Sequence, residues 1–315
     1  MTAFRFCRAV AVLMSSVLVC PCVGVCAPNA AGLPEPPASV AMSPGAGEGM
    51  VLFVDVQTES GETLPCVVDT GSPNTVLPAR LEPTLGSRLG SRVFSTLDSP
   101  KETEHLYAAP KLYLGKTRLM TDTQIGASGN LGILGMDCLR HYCMQLDFEA
   151  KAVRFLNSEQ LNIADLGKPF SLSKSRYATI KHRGFFQKKE TDLLLDTGCP
   201  FDGYLNPRAF KRAVREQHAQ PLPFLKDGVV QGTAPGIALF PQCIWDSESY
   251  TNLIIGKRFD LVGLRFLARH LVTFDFPRGV VYLKRTSGDG LPKRVSVSSE
   301  SAIPNKARIS KGEKE

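Results

Sequence analysis

The feature that most constrains this chain is an internal repeat. Residues 67–78 read VVDTGSPNTVLP and are followed at 132–156 by GILGMDCLRHYCMQLDFEAKAVRFL. Residues 194–207 read LLDTGCPFDGYLNP and are followed at 260–284 by DLVGLRFLARHLVTFDFPRGVVYLK. Asp69 stands 66 residues before Gly135 and Asp196 stands 67 before Gly263, and each glycine is 12 residues before a second aspartate, Asp147 or Asp275. One Asp-Thr-Gly is expected by chance about 0.06 times in a chain of this length. Two copies in one shared frame therefore describe two homologous-looking halves, neither complete without the other.

Between the repeated motifs the chain is a series of short runs rich in β-branched and aromatic residues, separated by Gly, Pro, Asn and Asp. MVLFVDV (50–56), LPCVVD (64–69), KLYLG (111–115), MQLDF (144–148) and AVRFL (152–156) read as strands. The segments leading into each Asp-Thr-Gly read as hairpins, with turns near Gly61 and Gly184. Helical period is confined to PRAFKRAVREQHA (207–219) and to the neighbourhood of MDCLRHY (136–142). The expected fold class is mostly β.

At 315 residues the chain is long enough to bury a proper core without disulfides. Its first residues pair Arg5 and Arg8 with an apolar run from Ala9 to Val19 and small residues ending near Ala27, the layout of an export signal. The expected organisation is a signal at 1–27, a linker at 28–48, a first half at 49–160, a second at 161–285, and a solvated Ser-, Gly- and Lys-rich tail at 286–315. Export implies a periplasmic or extracellular location, with membrane attachment only if the N-terminal segment is retained. The formal charge of +7 sits mostly in the ends, because the stretch from Lys284 contributes +4 and the signal +2. That distribution removes the main argument for nucleic acid as a partner.

Removal of the signal leaves Cys66, Cys138, Cys143, Cys199 and Cys243, an odd number; Cys138 and Cys143 are the closest pair, but spacing alone establishes no bridge. A metal site is a poor explanation of these cysteines, since no CxxC pair and no HxxxH occur in the mature region. No cofactor motif is present.

The two Asp-Thr-Gly loops and their downstream frame resemble the pepsin-like aspartic proteases. In that family two β-rich lobes, related by a pseudo-two-fold, each supply one such loop to a cleft between them. DTGSPNTVLP (69–78) follows the family's DTGS-x-N-x-x-VP pattern, with Val76 where Trp is common, and KLYLGKTRLMTDTQIGAS (111–128) is like the strand after the family's flap. ILG (133–135) and LVG (261–263) occupy the apolar-apolar-Gly position beneath each loop. The resemblance covers roughly residues 48–285.

What it implies is a cofactor-free, metal-free, monomeric endopeptidase acting on polypeptides. Amide hydrolysis of that kind needs an activated water and a proton for the carbonyl oxygen. Two carboxyl groups a hydrogen bond apart supply both, because like charges so close cannot both ionise. Asp69 and Asp196 are the expected dyad. Gly71 and Gly198 let the loops approach, and the resemblance gives Thr70 and Thr197 the role of tying each loop to the other's backbone. Ser72 is expected to donate its hydroxyl to Asp69, whereas Cys199 offers Asp196 only a thiol, which polarises the pair toward ionised Asp69 and protonated Asp196; a small packing residue is the competing reading of Cys199.

One region departs from the pattern. The family's flap carries Tyr before a Gly-Thr-Gly-like turn, and VFSTLDSPKETEHLYAAP (93–110) has none. Tyr107 is the candidate flap residue here, against the alternative of a strand residue covering its half. The departure leaves room for a second function, a peptide-binding protein that keeps the cleft and turns over slowly. A Cys/His protease centred on Cys199 or Cys66 lacks a histidine placed to serve it, and a single-lobe dimeric protease is disfavoured because both halves are present. Trp245 reads as a packing residue of the second half.

Overall fold

The computed structural model describes residues 39–94, 102–182, 190–205, 220–221, 231–234, 250–255 and 260–286, together with isolated positions between 208 and 216. The export signal, the turn near Gly184, Cys243, Trp245 and the tail from 287 lie outside the described residues, as does most of the helix expected at 207–219.

The protein is mostly β, with three sheets of nine, seven and six strands among the described residues. Alternation builds the strands locally: in the hairpin of Phe53–Thr58 and Thr63–Val68 the side chains of Val54, Val56, Leu64, Cys66 and Val68 are buried and their neighbours face outward or half outward, except Val67, which is buried as the second strand enters the core. Gly61, at φ 85°, makes its turn, and its N–H donates to the Thr58 carbonyl at 2.9 Å.

The repeat seen in sequence becomes a repeat of topology. In the nine-stranded sheet Phe53–Thr58, Thr63–Val68, Gly132–Leu134, Val76–Leu77, Gln124–Ala127, Glu102–Ala108 and Gly90–Phe94 are neighbours in that order. The seven-stranded sheet repeats the series as Thr179–His182, Thr191–Asp196, Leu261–Gly263, Gly203–Leu205, Tyr250–Ile255, Gln231–Ala234 and Gln220–Pro221. Every neighbouring pair keeps its parallel or antiparallel sense between the two series. Among the described residues the first half's sheet adds the short pair Leu112–Leu114 and Thr117–Arg118.

The six-stranded sheet belongs to both halves. Cys143–Asp147 pairs antiparallel with His270–Asp275, and the two equivalent residues Gln145 and Thr273 face each other, the Gln145 Nε2 donating to Thr273 Oγ1 at 2.9 Å. Each half therefore sends its last hairpin into a common sheet, which is why one buried cluster runs from Leu52 and Leu64 through Met144 to Phe266 and Phe274.

The segment expected as a linker is partly folded. Ser39–Ala41 is the edge strand of the six-stranded sheet, paired with Ala152–Leu156, and the Met42 N–H continues the contact to the Lys151 carbonyl at 2.9 Å. Gly47 sits so close to Phe148 and Ala268 that a Cβ there would lie 2.4 Å from the Ala268 Cβ. The Ala-, Gly- and Pro-rich composition concealed this: small residues here serve close packing, where loop composition alone suggests a tether. The short helix Met136–Leu139 forms within the expected 136–142, and no described helix is long and apolar enough to cross a membrane.

Candidate functional site

Each Asp-Thr-Gly begins at the end of a central strand. The Asp69 N–H donates to the Leu134 carbonyl at 3.0 Å, and Asp196 is paired with Gly263 in the equivalent parallel ladder. Beneath each loop the glycine is required by contact. A Cβ on Gly135 would lie 2.3 Å from the Asn74 carbonyl oxygen, and one on Gly263 would lie 2.2 Å from that of Phe201, the residue equivalent to Asn74. The loops are then fastened downstream by matching bonds, Met136 N–H to the Ser72 carbonyl at 2.9 Å and Leu264 N–H to the Cys199 carbonyl at 2.7 Å.

The two loops meet face to face. Thr70 Oγ1 donates to the Leu195 carbonyl and Thr197 Oγ1 to the Val68 carbonyl, both at 2.6 Å. Each hydroxyl also accepts the other threonine's backbone N–H, at 3.0 and 3.1 Å. Both threonines are fully buried. Two bonds thus tie the residue after each aspartate to the residue before the other, and two more join the threonines directly.

Asp69 and Asp196 are brought within hydrogen-bond reach of one another. The Gly71 N–H donates to Asp69 Oδ1 at 2.8 Å and the Gly198 N–H to Asp196 Oδ1 at 2.9 Å. Each carboxyl also lies against the other loop's glycine: a Cβ on Gly71 would be 2.5 Å from the Asp196 Cγ, and one on Gly198 would be 2.5 Å from the Asp69 Cγ. Burial raises the pKa of both acids, and the neighbouring Asp69 charge pushes Asp196 further, well above the usual carboxylate range. Asp196 is the more enclosed of the two, so the proton that the pair retains is best sheltered there.

The source of this asymmetry differs from the one expected. The Ser72 hydroxyl donates to the Asn74 carbonyl at 2.8 Å, so its single proton is not offered to Asp69; the Ser72 backbone N–H lowers Asp69 instead. At Cys199 likewise it is the backbone N–H that supports Asp196, while Sγ lies where a Cβ on Gly263 would be 2.9 Å away. Cys199 is buried in a small cluster with Leu194, Tyr204 and Leu261. Cys66, Cys138, Cys143 and Cys199 are all buried and none is in a disulfide. Burial pushes the Cys66 and Cys143 thiols up to about 12.

Tyr107 does not join the dyad. It lies at the base of the hairpin Gly90–Phe94 and Glu102–Ala108, opposite Ile125, with its ring buried in the first half's core and its hydroxyl donating to Glu82 Oε2 at 2.9 Å. Alternation explains the outcome, since a residue paired with Ile125 on this strand faces the core, and a phenol there needs a polar partner. His105, also in contact with Glu82 at 3.0 Å, completes a cluster that sequence reading left unconnected.

Other supporting residues were missed because their partners are remote in sequence. Thr75 Oγ1 donates to the buried Asp137 at 2.7 Å and accepts the Gly135 N–H at 3.2 Å, tying the loop to the helix that follows the glycine. Asp202, equivalent to Thr75, accepts from Arg269 at 2.9 Å. Among the described residues no group of three His, Cys, Asp or Glu side chains could hold a metal ion. No protein-family model matches the chain, and no curated protein matches it.

Proposed function

We propose that the protein is an exported aspartic endopeptidase with a two-lobed, pepsin-like fold, acting as a monomer on extended polypeptides. The observation that carries this reading is the reciprocal approach of Gly71 to Asp196 and Gly198 to Asp69, which sets two carboxyls with raised pKa within hydrogen-bond reach between matched loops. In the reaction the ionised carboxyl takes a proton from a water held between the two, and the protonated one gives its proton to the carbonyl oxygen as charge develops there. No metal or cofactor is required by that scheme. The export assignment rests on Arg5, Arg8 and the apolar run that follows them.

The test is digestion of an unfolded protein by the mature chain from pH 3 to 7, with fragments read by mass spectrometry. Cleavage at acidic pH that is lost in Asp69→Asn and Asp196→Ala, together with dyad-dependent binding of a pepstatin-type transition-state analogue, is the expected result. Peptide binding without cleavage across that range would instead select the second reading, a slow peptide-binding protein. The engagement of Tyr107 with Glu82 favours that alternative, because it removes the candidate aromatic from any role over the cleft.

A further inference from the structure

A cavity of about 400 Å³ adjoins the Asp69 loop, lined by Pro73, Asn74, Asp122, Met136, Arg140, Ser175 and Arg176. Its walls come from both halves and are fastened to the loop itself. The Met136 N–H donates to the Ser72 carbonyl, and two residues beyond Arg176 the Ala178 N–H donates to the Thr70 carbonyl at 3.2 Å.

The lining is rich in donors and poor in acceptors. Asp122, the only acid, is already paired with Arg140. Arg176 is exposed and has no carboxylate partner among the described residues. Ser175 Oγ accepts the Tyr177 N–H at 3.2 Å, which leaves its own proton to give, and the Asn74 carbonyl is occupied by Ser72 while its side-chain amide retains two donors. A guanidinium with hydroxyl and amide donors beside it matches a carboxylate, which it can hold through two parallel bonds.

We propose that this cavity is a specificity subsite that reads a carboxylate on the bound polypeptide, chiefly the side chain of a Glu or Asp a few residues from the scissile bond. The inference rests on the polypeptide-substrate reading above and adds a substrate class to it. Arg176 makes the principal contact. Arg140, paired with Asp122, offsets that acid's repulsion of the bound carboxylate.

The test uses peptide pairs that differ only by Glu or Gln at one position, scanned on both sides of the cleaved bond, each with a free or an amidated C-terminus. Turnover is read as kcat/KM on the wild-type chain, and binding by fluorescence anisotropy on the Asp69→Asn chain. The expected result is one position at which Glu is favoured over Gln by about 5–20-fold, since a charge-assisted bond at a part-exposed site gives a factor of that order. Arg176→Gln abolishes the preference, and Arg176→Glu turns it toward Lys at the same position. A preference that follows the free C-terminus instead assigns the cavity to the chain end. Cleavage with equal use of Glu and Gln everywhere overturns the subsite and leaves the endopeptidase standing. Selective binding of the acidic peptide without cleavage keeps the subsite and removes the endopeptidase. A preference that survives both Arg176 variants overturns the assignment to this cavity.

Discussion

Thr70 and Thr197 each accept the other's backbone N–H through a side-chain hydroxyl, at 3.0 and 3.1 Å, across a sequence distance of 127 residues. Because each hydroxyl also donates to a carbonyl of the opposite strand, replacing one leaves a buried N–H and a buried C=O unsatisfied. Thr70→Val or Thr197→Val should therefore cost about 2–4 kcal/mol of stability, against much less for Thr→Ser at either position. Denaturant unfolding of the four variants checks this. Equal losses for Val and Ser would mean that the methyl contacts, and not the bonds, hold the loops together.

Gly71 and Gly198 make a separable claim about the dyad. An added methyl at either site meets the partner loop's carboxyl near 2.5 Å, well inside any tolerated contact. Gly71→Ala and Gly198→Ala should displace the opposite aspartate and reduce proteolysis by more than about 100-fold, as misplacement by about 1 Å does to positioned groups. Comparable cleavage by either variant would show that the carboxyls need not be this close to act.

The dyad also has a signed effect on stability. The raised pKa of Asp196 comes from burial and from the Asp69 charge, so the folded protein holds a proton that the unfolded chain releases. Its contribution is fully present below the ordinary Asp value of about 3.9 and is lost as pH rises toward the folded value. Asp196→Asn removes the ionisable partner, and should melt higher than the wild type at pH 7 while losing activity, with the difference shrinking toward pH 4. A variant that melts lower at neutral pH would contradict the buried, proton-sharing arrangement.

The repeat was legible because its markers are contact-limited. Gly135 and Gly263 fit beneath their loops only without a Cβ, and Asp69 and Asp196 carry a tripeptide too rare to recur by accident. The seven-strand correspondence was not legible, because strands as short as Val76–Leu77 have no periodicity of their own and are placed by neighbours far along the chain. Ser72 illustrates a different limit. Its residue type made a bond to Asp69 chemically reasonable, but the turn at Pro73 carries the Asn74 carbonyl to the hydroxyl first. Residue type states what a group can donate; local backbone geometry decides to whom.

Tyr107 offers a direct test of that geometry. With its ring buried and its hydroxyl on Glu82, Tyr107→Phe should lower the melting temperature slightly and leave kcat/KM on a peptide substrate unchanged. Glu82 keeps His105 as a partner in the variant. A selective loss of kcat, with stability preserved, would return Tyr107 to the role of covering the cleft.

His270 opposes the dyad at acidic pH. It is 1% exposed, packs 5.1 Å from the Phe266 ring, and its Nδ1 has no partner among the described residues. Burial, with smaller contributions from the Arg269 and Arg285 charges, depresses it to about 4. The unfolded chain therefore binds a proton that the folded protein refuses between about pH 6.5 and 4, so stability falls as pH drops through that window. The full loss is about 3 kcal/mol, since each pH unit of the window costs about 1.4 kcal/mol. His270→Gln removes the titrating group and should flatten the decline between pH 6.5 and 4, measured by urea unfolding at intervals across it. An unchanged slope would move the acid sensitivity elsewhere. If the proposed proteolysis holds, it should be strongest in mild acid, where the dyad keeps its shared proton and His270 is still neutral.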